Sequence, residues 1–231
     1  MSLDLTKHPG LSRSLPFALF VLVLAVELSW NTLQVMVHAL HSLDKRWLYG
    51  IKSGLAALAL IFLWGRFEEL KQAPRQVGAW VMALVAGVGI FVLWINLTQP
   101  WTLLGEMGMG FAPYSADGQT DWLLAGIRLA GSALVVPIIE ELFWRSFIMR
   151  WIDKPDFLSL DPRNVSHRGL VISSALFAVE HTQWLAGFLA GIAYGWLYRR
   201  TGNIWLSILA HATTNAMLGL WVLNTESWQF W

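Results

Sequence analysis

The chain of 231 residues is 56% hydrophobic and only 13% charged, with 15 tryptophans and a formal net charge of +1. A soluble globular domain carries roughly 25% charged residues, so the composition excludes that class and points to a polytopic membrane protein. The near-zero charge, with no Lys/Arg run, excludes nucleic acid as a partner, and the absence of cysteine excludes disulfides, thiolate metal sites and a cysteine nucleophile.

Apolar stretches of about 17 to 25 residues read as membrane-spanning helices. At the N-terminal end, Lys7 and Arg13 precede an apolar run from Leu15 to Val26. Glu27, Trp30 and Asn31 follow it in place of a small-residue cleavage site, so it reads as an uncleaved first span near 16–41. Glu27, Asn31 and His38 fall on roughly one face of that span and read as a packing face. Further spans are expected near 47–65, 77–98 and 122–149. The next two, 169–182 and 184–198, are short and read as a tight helical hairpin that does not span cleanly; the last runs over 204–224. Residues 153–168, with Pro155 and Pro162, read as a loop on the membrane surface. Trp47, Trp101, Trp122, Trp205 and Trp228 stand at span ends as interfacial anchors. The expected fold is an all-α membrane helix bundle of about seven spans, with six to eight as the range. It forms a single integral membrane domain over 1–231, with the polar motifs confined to 122–224.

Orientation follows from loop charge. Residues 99–121 hold no Lys or Arg, whereas 145–168 carry Arg145, Arg150, Lys154, Arg163 and Arg168, which places the second loop and the N-terminus on the cytoplasmic side. Arg66, Lys71, Arg75, Arg199 and Arg200 agree, while Lys45 and Arg46 do not. At a rise of 1.5 Å per residue, Glu140, His181 and His211 lie roughly 15 to 20 Å from the nearest cytoplasmic basic residue. Three polar clusters at one depth suit one site.

An ionisable side chain at the centre of a membrane helix costs roughly 2.5 to 3.5 kcal/mol, so each needs a partner or a function. Positions four apart share a helix face, which stacks Glu141 on Arg145 and directs Glu140 elsewhere. An unpaired, partly desolvated carboxylate suits a general base that activates water. The structural alternative makes both carboxylates ion-pair partners, Glu141 with Arg145 and Glu140 with Arg128 or another helix. Phe177 covers the face that bears His181, which on its own also reads as a satisfied interhelical hydrogen bond, with Glu180 beside it. His211 and Asn215, again four apart, suit two donors aimed at an oxyanion, or a polar packing stripe.

Taken together, Glu140-Glu141-Leu-Phe-Trp-Arg145, Phe177-Ala-Val-Glu-His181 and His211-Ala-Thr-Thr-Asn215 resemble the three ordered motifs of the CaaX protease and bacteriocin-processing family of intramembrane proteases. The segment 136–147 and the terminal Trp228-Gln-Phe-Trp231 are further similar to the related proteins of bacteria that carry the exosortase and PEP-CTERM sorting system. The resemblance implies that Glu140 and His181 activate the attacking water, that His211 and Asn215 stabilise the oxyanion, and that Glu141, Arg145 and Phe177 support the site. It implies an endopeptidase of the bacterial inner membrane acting on a membrane-associated protein or peptide in the lipid bilayer, with no cofactor. No His-Glu-x-x-His, Gly-x-Gly-Asp or Gly-x-Ser-Gly motif is present, yet Glu140, His181 and His211 offer a two-histidine, one-carboxylate set for a single zinc. The rival readings are a non-proteolytic immunity or scaffold protein of the same fold, and a transporter with a polar midplane site.

Overall fold

The computed structural model describes residues 8–231 and is all-helical, with one isolated bridge between Tyr114 and Thr120 as the only β-pairing among the described residues. Lys7, read above as a flank of the first span, lies outside the described residues. Among the described residues eight helices follow in order: α1 Pro9–Leu28, α2 Trp30–Met36, α3 Leu48–Leu63, α4 Val77–Asn96, α5 Trp122–Trp151, α6 His167–Ala178, α7 Trp184–Thr201 and α8 Ile204–Thr225. Five are long and apolar enough to cross a membrane: α1, α3 with its flanking turns, α4, α5 and α8. The protein is therefore a multi-pass membrane bundle.

The first span is shorter than the sequence suggests. It begins at Pro9 and breaks at Ser29, after which the chain makes α2 and short turns up to α3. Glu27 is drawn sideways to Lys52 of α3, at 2.6 Å, while His38 lies beyond the break against His41, so Glu27, Asn31 and His38 do not form one continuous helix face. The short pair forms the expected hairpin. Twelve residues of α6 rise only about 18 Å, and a turn over residues 179–183 reverses the chain into α7.

α8 is the central element. Half of its apolar window is buried, against 22% for α4, whose outward valines Val77, Val81 and Val85 face away from the protein. Small residues let the helices close up. A side chain at Gly87 of α4 would meet Thr213 Cβ of α8 at 2.7 Å, and one at Gly191 of α7 would meet Ser174 Cβ of α6 at 2.8 Å. At that approach the Gly87 carbonyl accepts from Thr214 at 2.8 Å, a contact between α4 and α8 that replaces water with protein.

α5 is not a plain α-helix. Two wider π-helical stretches, Gly131–Val135 and Glu141–Ile148, bracket a short α-helical segment that ends at Glu140. Pro137 supplies a cause for the first: lacking an N–H, it leaves a carbonyl one turn back without its helical donor. π-turns of this kind recur at functional sites, and the site of this protein is built on both.

Candidate active site

The three motifs converge. A cavity of about 220 Å³ is lined by Glu140 from α5, Phe177 and His181 from the α6 end, and His211 and Asn215 from α8. Trp94, Arg128, Ser132 and Tyr194 complete its polar and aromatic wall, and Phe230 and Trp231 reach it from the C-terminal turn. The agreement in depth read from the sequence thus corresponds to contact in space.

His211 is the hub. Its Nδ1 lies 3.0 Å from Glu141 Oε1 and its Nε2 lies 3.9 Å from Glu140 Oε2, so one imidazole sits between two adjacent carboxylates. A carboxylate accepts, so Nδ1 carries a proton and donates it to Glu141. The Tyr194 ring stacks on the imidazole at 5.0 Å with an 18° interplanar angle, fixing its plane. Tyr194 is in turn held by its hydroxyl, which donates to Thr214 Oγ1 at 2.7 Å.

Glu141 is fully buried and pairs with Arg145 Nε at 3.2 Å, as their spacing predicts. The Arg145 guanidinium lies 4.4 Å from the Phe177 ring centroid, a cation–π contact that fastens the second motif to the first. Glu140 differs. Its Oε2 is buried without a hydrogen-bond partner, and it does not pair with Arg128, whose guanidinium lies instead over the rings of Tyr49 and Phe111. The ion-pair alternative is therefore met for Glu141 with Arg145; for Glu140 the Arg128 pairing is not met, and its nearest partner on another helix is His211 at 3.9 Å.

His181 stands in the turn after α6, since that helix ends at Ala178 and not at 182. Its four-residue relation to Phe177 survives through the backbone: His181 Nδ1 donates to the Phe177 carbonyl at 2.9 Å, leaving Nε2 as an acceptor. Phe177 packs on the ring at 4.7 Å and Trp94 meets it edge-on at 5.3 Å. Glu180 is not its partner; Glu180 accepts from Trp144 Nε1 at 3.0 Å. Asn215 Nδ2 donates to the Ser132 carbonyl at 2.8 Å. That carbonyl lies in the π stretch before Pro137, where a helical donor is missing. One amide hydrogen of Asn215 is left for a second acceptor.

Among the described residues, no group of three or more His, Asp and Glu is drawn together closely enough to hold a metal ion. Glu140, His181 and His211, the set read for a single zinc, line one cavity, and the Nδ1 bonds of the two histidines leave their Nε2 atoms as the possible ligands.

Two contributors carry no sequence signal. Tyr194 and Trp94 lie on helices without a motif, and only three-dimensional packing places them on the histidines. A search of curated proteins and one of solved structures each returned no match to the chain. The stretch that supplies all the motif side chains does match: residues 122–217 fit the family model described as type II CAAX prenyl endopeptidase Rce1-like.

Proposed function

We propose that the protein is a metal-free intramembrane endopeptidase in which Glu140 and His181 activate water against a peptide bond of a membrane-associated protein. The observation that carries this reading is the joint lining of one small cavity by Glu140, His181, His211 and Asn215. Glu140 takes a proton from water held also by the free Nε2 of His181. The hydroxide oxygen adds to the carbonyl carbon, and the carbonyl electron pair becomes an oxyanion. Asn215 donates its remaining amide hydrogen to that oxyanion, and His211 donates from Nε2 when the ring is protonated on both nitrogens, a charge balanced by Glu141. Collapse re-forms the carbonyl and breaks the C–N bond. The proton held by Glu140 goes to the departing amine.

The test uses the full chain in lipid nanodiscs with a membrane-anchored reporter protein. Glu140→Gln keeps size and shape but removes the base, so cleavage is expected to fall by roughly two to four orders of magnitude with the melting temperature unchanged. Prolonged chelation is expected to leave cleavage intact. Stoichiometric zinc, with activity lost on removal and regained on readdition, overturns the metal-free mechanism. Full activity in Glu140→Gln overturns the base assignment.

The orientation follows the charge asymmetry, with the N-terminus cytoplasmic in a bacterial inner membrane. In this cysteine-free chain, a cysteine at Ser159 is expected to react with impermeant reagents only from the cytoplasm and one at Ser115 only from outside. The reverse pattern overturns the orientation.

A further inference from the structure

A second cavity, of about 960 Å³ against 220 Å³ for the catalytic one, opens where two spans begin. Its floor includes Gly78 and Met82 of α4, which starts at Val77, and Leu206 of α8, which starts at Ile204. The ends of apolar spans lie at the level of the lipid headgroups. Trp80 and Trp205 stand beside it, as tryptophans do at that level. The frame is fixed by side chains donating to carbonyls: Trp80 to Pro74 at 3.0 Å, Trp205 to Leu70 at 2.9 Å, Asn203 to Gln72 at 2.8 Å and Arg163 to Thr201 at 2.7 Å. These bonds tie the 70–75 segment, the 162–164 turn and the turn between α7 and α8 into one preformed rim.

The rim is cationic. Lys71, Arg75, Arg163 and Arg200 line the cavity and no Asp or Glu does. Lys71 is answered by Glu68 at 2.5 Å and Arg163 by Asp161 at 3.4 Å. Arg75 and Arg200 are exposed and receive no hydrogen bond or ion pair from any described residue. An exposed arginine on its own is ordinary. Here the floor beneath the two arginines is apolar and runs on into the outward side of α4: Gly78, Met82 and Val85 share a helix face, and Val81 and Val85 beside it are 51% and 66% exposed.

We propose that this cavity binds an anionic phospholipid of the surrounding bilayer, its phosphate held by Arg75 and Arg200 and its acyl chains laid along Val81 and Val85 of α4. The guanidinium fork matches phosphate oxygens with parallel hydrogen bonds. A soluble phosphate or an acidic peptide would satisfy the cations but leave the apolar floor and the valine track uncovered; a lipid covers both. The loop at 99–121 has no Lys or Arg to offer a lipid phosphate. The inference rests on the bilayer and on this cavity alone, so it stands or falls apart from the proteolytic reading.

The test presents the full chain in mixed micelles with equal amounts of phosphatidylglycerol and phosphatidylcholine and counts retained lipids by native mass spectrometry. Wild type is expected to keep one phosphatidylglycerol per chain in preference to phosphatidylcholine by roughly twentyfold, since each basic residue at an anionic headgroup is worth about fivefold. Arg75→Gln with Arg200→Gln is expected to erase the preference without moving the unfolding midpoint in phosphatidylcholine alone, because neither side chain has a partner in the protein. Lys154→Gln with Arg168→Gln removes the same charge from the neighbouring loop, outside the cavity, and is expected to keep the preference. Gly78→Glu puts a carboxylate into the open space at Gly78, where a side chain meets nothing within 4 Å, and is expected to abolish lipid retention in a folded protein. Equal retention of the two lipids by wild type, a preference that survives the Arg75 and Arg200 changes, or an equal loss in the Lys154 and Arg168 variant overturns the proposal. Displacement of phosphatidylglycerol by excess inorganic phosphate or by triglutamate overturns it too, and makes the cavity a site for a free anion or an acidic peptide.

Discussion

Two buried charged clusters meet α5 at neighbouring residues, and they are built on opposite terms. At Ser146, Arg13 and Glu69 form a saturated pair. The Arg13 Nε and Nη2 atoms donate to the two Glu69 oxygens at 2.8 and 2.6 Å, Nη1 donates to the Pro9 carbonyl at 3.0 Å, Nη2 also reaches the Arg66 carbonyl, and the Ser146 hydroxyl donates to Glu69. At Arg145, one residue earlier, the opposite holds: both Nη atoms and Glu140 Oε2 are buried without hydrogen-bond partners. A cluster that only holds helices together uses up its donors and acceptors. Of these residues only Glu140 lines the cavity, where an unspent polar atom is what a substrate meets; the Arg145 guanidinium lies over the Phe177 ring instead.

The comparison is broken most severely through Glu141, which belongs to both kinds, pairing with Arg145 and orienting His211. Glu141→Ala leaves a buried guanidinium and an imidazole without their acid. Removing one partner of a buried pair costs about 3 to 5 kcal/mol, and here activity should fall with it. Chemical unfolding in mixed micelles and reporter cleavage measure the two effects. Wild-type stability with lost activity would assign Glu141 to chemistry alone.

Glu69→Ala probes the saturated cluster, where the same loss of about 3 to 5 kcal/mol is expected because Arg13 is then buried without its acid. Turnover per folded molecule should not change, since neither residue lines the catalytic cavity. A fall in kcat at full occupancy of the folded state would show that the two clusters are coupled through α5.

Much of the site was legible because its signals are local or ordered. Glu141 and Arg145 announce their pairing by spacing, and the three motifs announce convergence by order and depth. The saturated cluster was not legible at all: Arg13 and Glu69 are 56 positions apart, and nothing in either segment marks the other. Arg150 reads as a loop charge from composition, yet it is buried and donates to the Leu158 and Leu160 carbonyls, because the 157–160 turn folds back over it. Pro137 hints at a disturbed helix, but which carbonyl it frees, and that Asn215 takes it, depends on how α8 packs. The hydropathy that reveals spans says nothing about the end of α6, where a backbone turn and not a helix presents His181. Side-chain chemistry was readable; partners distant in sequence were not.

Asn215→Ala is expected to have a smaller effect than either glutamate change on stability and a distinct one on rate. Its bond to the Ser132 carbonyl is worth about 1 kcal/mol of stability. Loss of its second amide hydrogen from an oxyanion is worth roughly two to three orders of magnitude in kcat, about 2.7 to 4 kcal/mol. Equal losses in kcat and in stability would make Asn215 a packing residue, on the same side of the comparison as Arg13.

The smallest effect expected is a pH dependence carried by the saturated cluster. Burial pushes the Glu69 carboxyl up, but the hydrogen bonds and charge of Arg13, with the Ser146 hydroxyl, outweigh it and hold the group below its ordinary value of 4.5. A carboxyl with a depressed folded value contributes its full stabilisation above the unfolded value, where both states are ionised. As pH falls below about 4.5 the unfolded chain takes up the proton first, so this contribution is lost progressively until the folded value is passed. Unfolding midpoints of wild type and Glu69→Gln, measured between pH 7 and pH 3, should therefore differ most at neutral pH and draw together in acid. Asp44, held low by Arg46, and Asp117, held low by Ser115, also titrate in this range, but they are present in both proteins and cancel in the difference. A difference that stays constant across the range would mean that Glu69 keeps its proton state in both folded and unfolded chains, and that the cluster stabilises the bundle by packing alone.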